Sequence, residues 1–122
     1  MINKDKEVGG THYADMKIEP FELIDALDLD FVQGNIIKYV SRYKNKGGNQ
    51  DLEKAIHYCD MIINKFLGGN GLTYKLSKQQ KFVIKMYCEI NGLTDIENLI
   101  IGHAIAHEYK ECKSEINKLI DR

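Results

Sequence analysis

The stretch that decides the fold is GNIIKYVSRYKNKGGNQDLEKAIHY, which runs from Gly34 to Tyr58. Apolar residues recur at helical spacing on both sides of a central glycine turn. This pattern predicts two antiparallel helices joined by a short connection, an αα-hairpin. Within the turn, either Gly47 or Gly48 is suited to the positive-φ position that ends a helix.

The hairpin supplies the second and third predicted helices. The second runs from about Phe31 to Lys44, and Asp30 is suited to cap it. The third begins near Asn49–Asp51 and ends at about Phe66. The predicted buried stripe of the second helix consists of Phe31, Ile36, Ile37, Val40 and Tyr43.

A shorter helix is predicted before the hairpin and a strong break after it. Pro20 is suited to the first turn of a helix that ends at about Leu27. The break is Gly68-Gly69-Asn70-Gly71. This run separates the motif-rich front of the chain from a plainer back half.

The back half predicts two more helices. Ser77 is suited to cap a fourth helix that ends at about Ile90, and residues 95–120 form a fifth, bent near Gly102. Three apolar residues near its end are candidates for docking on a partner: Ile116, Leu119 and Ile120.

Length and composition predict one soluble domain over residues 1–122. Helical periodicity, without an alternating strand of useful length, predicts that it is all-α with about five helices. Residues 1–11 are predicted to be a flexible arm. The helical hairpin region occupies residues 12–67, and the C-terminal helices occupy residues 72–122. Because so short a chain buries only a small core, we expect a homo-oligomer.

Several features favour a cytoplasmic protein. No apolar run approaches the roughly 18–20 residues of a membrane helix, and the N-terminus MINKDKEVGG lacks a hydrophobic signal region. The chain is therefore expected to have no membrane contact. Cys59, Cys88 and Cys112 are far apart and without zinc-site spacing, so reduced, buried thiols are expected.

Charge is distributed unevenly along the chain. Residues 1–30 carry three lysines against eight carboxylates, whereas residues 34–54 carry five cations against two carboxylates. The formal net charge of −1 argues against bulk nucleic-acid binding. A small basic segment in a mildly acidic protein indicates a local anion site.

The second predicted helix presents amides and cations on one face. Asn35, Lys38 and Arg42 are spaced at i, i+3 and i+7, with Tyr39 beside them. Lys38 and Arg42 repel each other one turn apart unless an anion lies between them, and phosphate suits both side chains. The alternative is that this face is simply solvated.

The glycine turn extends the candidate phosphate site. Lys46 and the glycines after it bring a cation and backbone N–H groups to the start of the third helix. Asp51 has four possible roles: complementing the helix dipole, pairing with Lys54, holding a ribose hydroxyl, or binding Mg²⁺ with phosphate. Lys54 and Tyr58 share a helix face at i, i+4.

Histidines provide two further candidates. His12 and Tyr13 are suited to contact a phosphate and to stack on a base, although Tyr13 could equally pack the arm onto the domain. His103 and His107 have the i, i+4 spacing of a metal pair. They lack the glutamate of HExxH and a third ligand, so a role in helix packing or at an oligomer interface is favoured and no metal site is predicted.

Four short patterns together resemble a small phage protein family known as SaV-like or "nucleotide kinase". The patterns are H-Y, I-E-P, G-N-x-I-K-Y-x-x-R-[YF]-x-x-K and D-L-x-K-A-x-x-Y. The resemblance covers about residues 11–64. The residues that match are His12, Tyr13, Ile18, Glu19, Pro20, Gly34, Asn35, Ile37, Lys38, Tyr39, Arg42, Tyr43, Lys46, Asp51, Leu52, Lys54, Ala55 and Tyr58.

The resemblance implies a nucleotide ligand, a phage or prophage origin and a place in the host cytoplasm. The characterised coliphage member of that family is a nucleoside monophosphate kinase without a P-loop, which implies ATP and Mg²⁺ as cofactors. No catalytic residue is assigned. Two alternatives remain open: a non-catalytic protein that sequesters cyclic (oligo)nucleotide signals of bacterial defence, and a helical protein-interaction module.

Overall fold

The computed structural model describes residues 16–120, and this part of the chain is all-α with no strand. The fold class is therefore confirmed. The flexible arm predicted for residues 1–11 lies outside the described residues, as do His12 and Tyr13. The helices are α1 (Pro20–Ala26), α2 (Phe31–Arg42), α3 (Asn49–Lys65), α4 (Lys78–Ile90), α5 (Asp95–Ile105) and α6 (Tyr109–Ile120).

The described chain has six helices, whereas about five were predicted, because the predicted fifth helix is divided into α5 and α6. The predicted bend at Gly102 is wrong: this glycine lies within α5, and the chain turns at 106–108 instead. There His107 adopts a left-handed backbone with φ of 60°. The amide N–H of Glu108 then donates to the carbonyl of His103 at 2.8 Å, which closes the C-terminus of α5.

The predicted start of α2 and the predicted turn after it are confirmed. The backbone N–H of Gln33 donates to Asp30 Oδ1 at 2.8 Å, and that of Asp30 donates to Gln33 Oε1 at 2.9 Å. At the other end of α2, Gly48 has the positive φ, 54°. Its amide N–H donates to the Tyr43 carbonyl at 2.8 Å. The start of α2 and the turn that follows it are thus set by local sequence signals.

The larger of two hydrophobic clusters lies between α2, α3, α5 and α6. Its members come from one face of each helix, so the hairpin packs on the C-terminal helix pair. The buried residues are Ile36, Val40, Leu52, Ala55, Cys59, Ile100, Ala104, Tyr109, Cys112 and Ile116. Leu119 and Ile120 pack against this cluster, so the apolar end of α6 serves the protein's own core.

A second cluster joins α1 and α4 to the other sides of α2 and α5. The buried residues are Met16, Leu23, Ile37, Ile84, Tyr87, Cys88, Ile101 and Ile105. Since α2 and α5 contribute to both clusters, they are the central helices of the fold. That position explains why α5 is apolar on more than one face.

Two aromatic residues with helical spacing are exposed rather than buried. Phe31 is 69% exposed and Phe21 is 52% exposed. The prediction that Phe31 belongs to the buried stripe is therefore wrong. At 100° per residue, Phe31 is rotated about 140° from Ile36, away from the direction of the core.

The three cysteines are buried free thiols, and they form no disulfide bond with one another. Burial raises the pKa of the Cys88 thiol to about 12. A hydrogen bond with Cys59, followed by burial, raises the pKa of Cys112. The Cys88 and Cys112 thiols are therefore protonated packing groups at neutral pH. In the described part of the chain, every helix is too short or too polar to cross a bilayer.

Candidate functional site

The hairpin places several cations around one aromatic ring. The centroid of Tyr39 lies 4.5 Å from Lys38 Nζ, 4.8 Å from Arg42 Cζ and 5.4 Å from Lys54 Nζ. Tyr58 stacks beside Tyr39 at 6.2 Å between centroids, with 19° between the ring planes. We call these five residues the cation–aromatic cluster. Cations at such distances interact favourably with the ring face.

A buried carboxylate, that of Asp51, holds the Arg42 side chain of this cluster in place. Asp51 is 1% exposed, and its two oxygens accept from Arg42 Nε and Nη2 at 3.1 and 3.2 Å. Asp51 Oδ2 also accepts from the backbone N–H of Gly47 at 3.1 Å. The predicted partner, Lys54, is farther away, with its Nζ 4.0 Å from Oδ1. Asp51 therefore fixes both the guanidinium and the turn.

The two glycines of the turn have different roles. A Cβ at Gly47 would lie 2.3 Å from Cγ of Asp51, so this position allows the carboxylate to approach the backbone. Gly48 has open space around it but needs its positive φ of 54°. The turn is consequently held to Asp51 on one side and shaped by the backbone of Gly48 on the other.

An apolar groove of about 570 Å³ lies between α1 and α2. We call it the α1–α2 groove. The helices approach closely at Gly34, where a Cβ would lie 3.2 Å from Ile24 Cδ1. The groove is lined by Glu19, Pro20, Phe21, Ile24, Leu29, Asp30, Phe31, Gly34, Asn35 and Lys38.

The groove and the cation–aromatic cluster are adjacent. Lys38 belongs to both. Phe31 lines the groove and also meets Tyr58 edge to face, with 5.8 Å between ring centroids. Asp30 lines the groove at the start of α2, and Lys38 lines it about two turns further along, so the charge of the lining changes sign along α2. The two features form one surface with an apolar and a cationic half.

Most predicted site residues within the described range come together here. Asn35 lines the groove, and its Nδ2 donates to the Phe31 carbonyl at 2.9 Å. Lys38, Tyr39, Arg42, Lys54 and Tyr58 form the cluster around Asp51. Lys46 is exposed in the turn that follows α2.

The sequence analysis missed the aromatic walls of the groove, Phe21 and Phe31. For Phe31 a usable signal was present, because a rotation of about 140° from Ile36 around α2 directs its side chain away from the buried stripe. The position of Phe21 depends on how α1 packs against α2. No local pattern in the sequence reports that packing.

The two C-terminal histidines have separate partners. His103 Nδ1 lies 3.0 Å from Glu108 Oε1. His107 lies 3.1 Å from Gln33 Nε2 through its Nε2, and 3.3 Å from the Tyr109 hydroxyl through its Nδ1. Their contacts are those of helix packing. Across residues 16–120, no three His, Cys, Asp or Glu side chains are grouped as they would be to hold a metal ion.

The fold and site together define an all-α protein in which a helical hairpin carries cations and aromatics beside an apolar groove. Residues 8–60 match the model of DUF3310, a family described as proteins of unknown function. The match includes α1, α2 and most of α3, and therefore the residues of the groove and the cluster. Neither the curated proteins nor the solved structures include a match to the chain.

Proposed function

We propose that the protein binds a nucleotide across the α1–α2 groove and the cation–aromatic cluster. The observation that carries this proposal is the position of Lys38. This residue lines the apolar groove and also lies over the Tyr39 ring of the cation–aromatic cluster. A nucleotide has a flat, weakly polar base and an anionic phosphate. An apolar groove that ends in cations suits those two parts.

Electrostatics favours one orientation of the ligand. Asp30, at the N-terminus of α2, lines the groove and repels phosphate. The opposite end leads to Lys38, Arg42 and Lys54. The base would therefore lie toward Phe21 and Phe31, with the phosphate toward the lysines.

The cluster retains positive charge after its internal pairing. Asp51 compensates one of three cations, and its bidentate contact holds the Arg42 guanidinium in place. Lys54 remains half-exposed, about 4 Å from the same carboxylate. The groove volume of about 570 Å³ is within the usual range for small-molecule sites, roughly 300–1,000 Å³.

The resemblance to the phage family adds a proposed reaction. A nucleoside monophosphate kinase must neutralise charge on the transferred phosphoryl group, and the three cations are suitable for that. Sequestration of a nucleotide signal would use the same contacts without turnover. Both functions rest on binding at one site, and both fit a protein of the host cytoplasm, so one experiment can separate them.

The first test is a thermal-shift screen of nucleosides and of mono-, di-, tri- and cyclic nucleotides, with and without Mg²⁺. A ligand at 100 times its Kd is expected to add about 2.7 kcal/mol to the free energy of unfolding. Chromatography of the recovered ligand, with ATP as phosphoryl donor, then reports the outcome. A new diphosphate indicates kinase activity, whereas an intact ligand indicates sequestration.

Variants locate the binding site. Lys38→Ala and Lys54→Ala are each expected to weaken nucleotide binding about tenfold or more, while affecting nucleosides less, because each removes a charged contact. Phe31→Ala is expected to weaken nucleosides and nucleotides alike. The matched control is Lys110→Ala, an exposed lysine on α6.

Two outcomes would contradict the proposal. In one, no nucleotide stabilises the wild-type protein. In the other, Lys38→Ala and Lys54→Ala bind as tightly as the Lys110→Ala control, which would make the basic face a solvated surface.

A further inference from the structure

The outer face of α4 carries an exposed apolar stripe. Its residues are spaced at i, i+4 and i+8, so they lie along one side of the helix. Phe82 is 62% exposed, and Met86 and Ile90 are each 38% exposed. The core-facing side of α4 is formed by Ile84, Tyr87 and Cys88 instead.

Cations accompany this stripe. Lys78, Lys81 and Lys85 are exposed on the same helix, whereas its one carboxylate is Glu89. Glu89 already lies 3.9 Å from Lys85 within the helix. We call this surface of α4 the basic face. Its composition suits a partner surface that is apolar and acidic.

The protein itself carries a surface of that kind on α1. Phe21 is more than half exposed, and Asp25 follows it at i+4 on the same side of the helix. Asp28 is exposed just beyond the helix end. We call these three residues the acidic face. It is opposite in charge to the α4 surface and has an aromatic residue at one end, in the first turn of α1.

We propose that the basic face of one copy docks on the acidic face of a second copy, giving a head-to-tail assembly. Docking would cover Phe82 and Phe21 together and bring Lys81 and Lys85 close to Asp25 and Asp28. Because Phe21 also lines the α1–α2 groove, a docked copy and a bound base would compete for this side chain. Pairing of α4 with α4 would instead place lysines against lysines. A head-to-tail contact uses two different surfaces, so successive copies form a closed ring or an open chain.

The first measurement is analytical ultracentrifugation over a range of protein concentrations, at about 50 mM and about 500 mM NaCl. Species heavier than the 14.0 kDa monomer are expected at low salt. They should dissociate at high salt, because screening weakens contacts between opposite charges. A wild-type protein that stays monomeric at every concentration would overturn the proposal.

Charge reversal gives the decisive test. One variant is Lys81→Glu/Lys85→Glu on α4, and the other is Asp25→Lys/Asp28→Asn at α1. Asn is used at position 28 because Asp28 has a φ of 52°, which Asn tolerates. Each variant alone is expected to self-associate at least tenfold more weakly. An equimolar mixture should restore assembly, because each variant then meets a surface of opposite charge.

Controls distinguish this arrangement from others. Lys110→Glu/Lys118→Glu changes the same charge on α6 and should assemble like the wild type. Phe82→Ser should weaken assembly at low salt, and circular dichroism tests whether each variant remains helical. If the α1 variant assembles alone while the α4 variant does not, α4 pairs with itself and the proposal is wrong. A mixture that remains monomeric also overturns it.

Discussion

Asp51 shows how one side chain can organise a whole surface. Its carboxylate receives the Arg42 guanidinium at two atoms and the N–H of Gly47 at a third. Because these contacts are buried, removal of the carboxylate would leave the Arg42 guanidinium and the Gly47 N–H without an acceptor. Of the roles considered from sequence, Asp51 lies in the first turn of α3 as dipole complementation requires, and it pairs with Lys54 only weakly at 4.0 Å. Its main partner, Arg42, was not among those roles.

Asp51→Ala is therefore expected to lower the free energy of unfolding by about 3–5 kcal/mol, measured by urea denaturation. The loss arises because the guanidinium and the Gly47 N–H lose their buried acceptor. The control is Asp60→Ala on the same helix, which removes a half-exposed ion pair with Lys113 at 2.7 Å. That change should cost only about 0–1 kcal/mol. Equal losses for the two variants would contradict this interpretation.

At the scale of helices, Gln33 fastens α2 to α5. Its side-chain amide donates to the carbonyls of Ala104 and Ile105 at 3.2 and 3.1 Å, and it also meets His107. These carbonyls are at the C-terminus of α5, where intrahelical donors are missing. The Gln33 side chain therefore caps the C-terminus of α5, while its backbone N–H takes part in the N-terminal cap of α2.

Gln33→Met preserves the length of the side chain but removes its amide donors and the Oε1 that accepts from the Asp30 N–H. We expect the free energy of unfolding to fall by about 1–3 kcal/mol, because two buried carbonyls lose a partner. Chemical denaturation measures the change. Gln50→Met, at an exposed position in the first turn of α3, serves as the control and should be close to neutral. A neutral result for Gln33→Met would mean that water replaces the amide.

The break between α5 and α6 explains why element boundaries were harder to predict than element types. His107 takes a left-handed backbone without being glycine or asparagine. Its ring is held by Gln33, 74 residues away in sequence, and by Tyr109. A long-range contact thus fixes a turn for which the local sequence has no signal, whereas Gly102 continues the helix.

At the scale of the molecule, a fully buried glutamate joins distant parts of the chain. Glu97 is in the first turn of α5, where its Oε1 accepts from the backbone and hydroxyl of Thr94. Lys44 donates to the same oxygen at 3.1 Å, and the Tyr43 hydroxyl donates to Oε2 at 2.8 Å. Burial raises the pKa of Glu97, but these hydrogen bonds outweigh it and hold the pKa below its usual value of 4.5.

This pKa predicts a pH-dependent contribution to stability. The folded pKa lies below the unfolded one, so the contribution of Glu97 is complete above about pH 4.5 and is lost as the pH falls through the folded pKa. Glu97→Gln is expected to cost about 1.5–3 kcal/mol at pH 7, because two charged contacts become neutral or mismatched. The difference from wild type should narrow as acid is added.

Urea midpoints measured between about pH 7 and pH 3 test this expectation. Glu89→Gln, an exposed glutamate on α4, should follow the wild-type curve closely. A Glu97→Gln deficit that stays constant over the whole pH range would show that packing, rather than the charge, is responsible.

The sequence by itself determined the elements of this protein whose causes are local. The hairpin, its glycine turn, the caps at Asp30 and Ser77, and the shared face of Lys38 and Arg42 all follow from short-range spacing and backbone chemistry. The all-α class follows from the same periodicity. Interactions within a few residues along the chain are sufficient to specify each of these features.

The tertiary structure decided what those elements do together. It brought Phe21 of α1 to the same groove as Phe31, placed the Asp51 carboxylate against the Arg42 guanidinium, and buried Glu97 against Tyr43 and Lys44. Each of these outcomes depends on how two or more helices pack. Periodicity shows which side of a helix is apolar, but the neighbour that covers it, or leaves it exposed, is chosen by the packing of the whole chain.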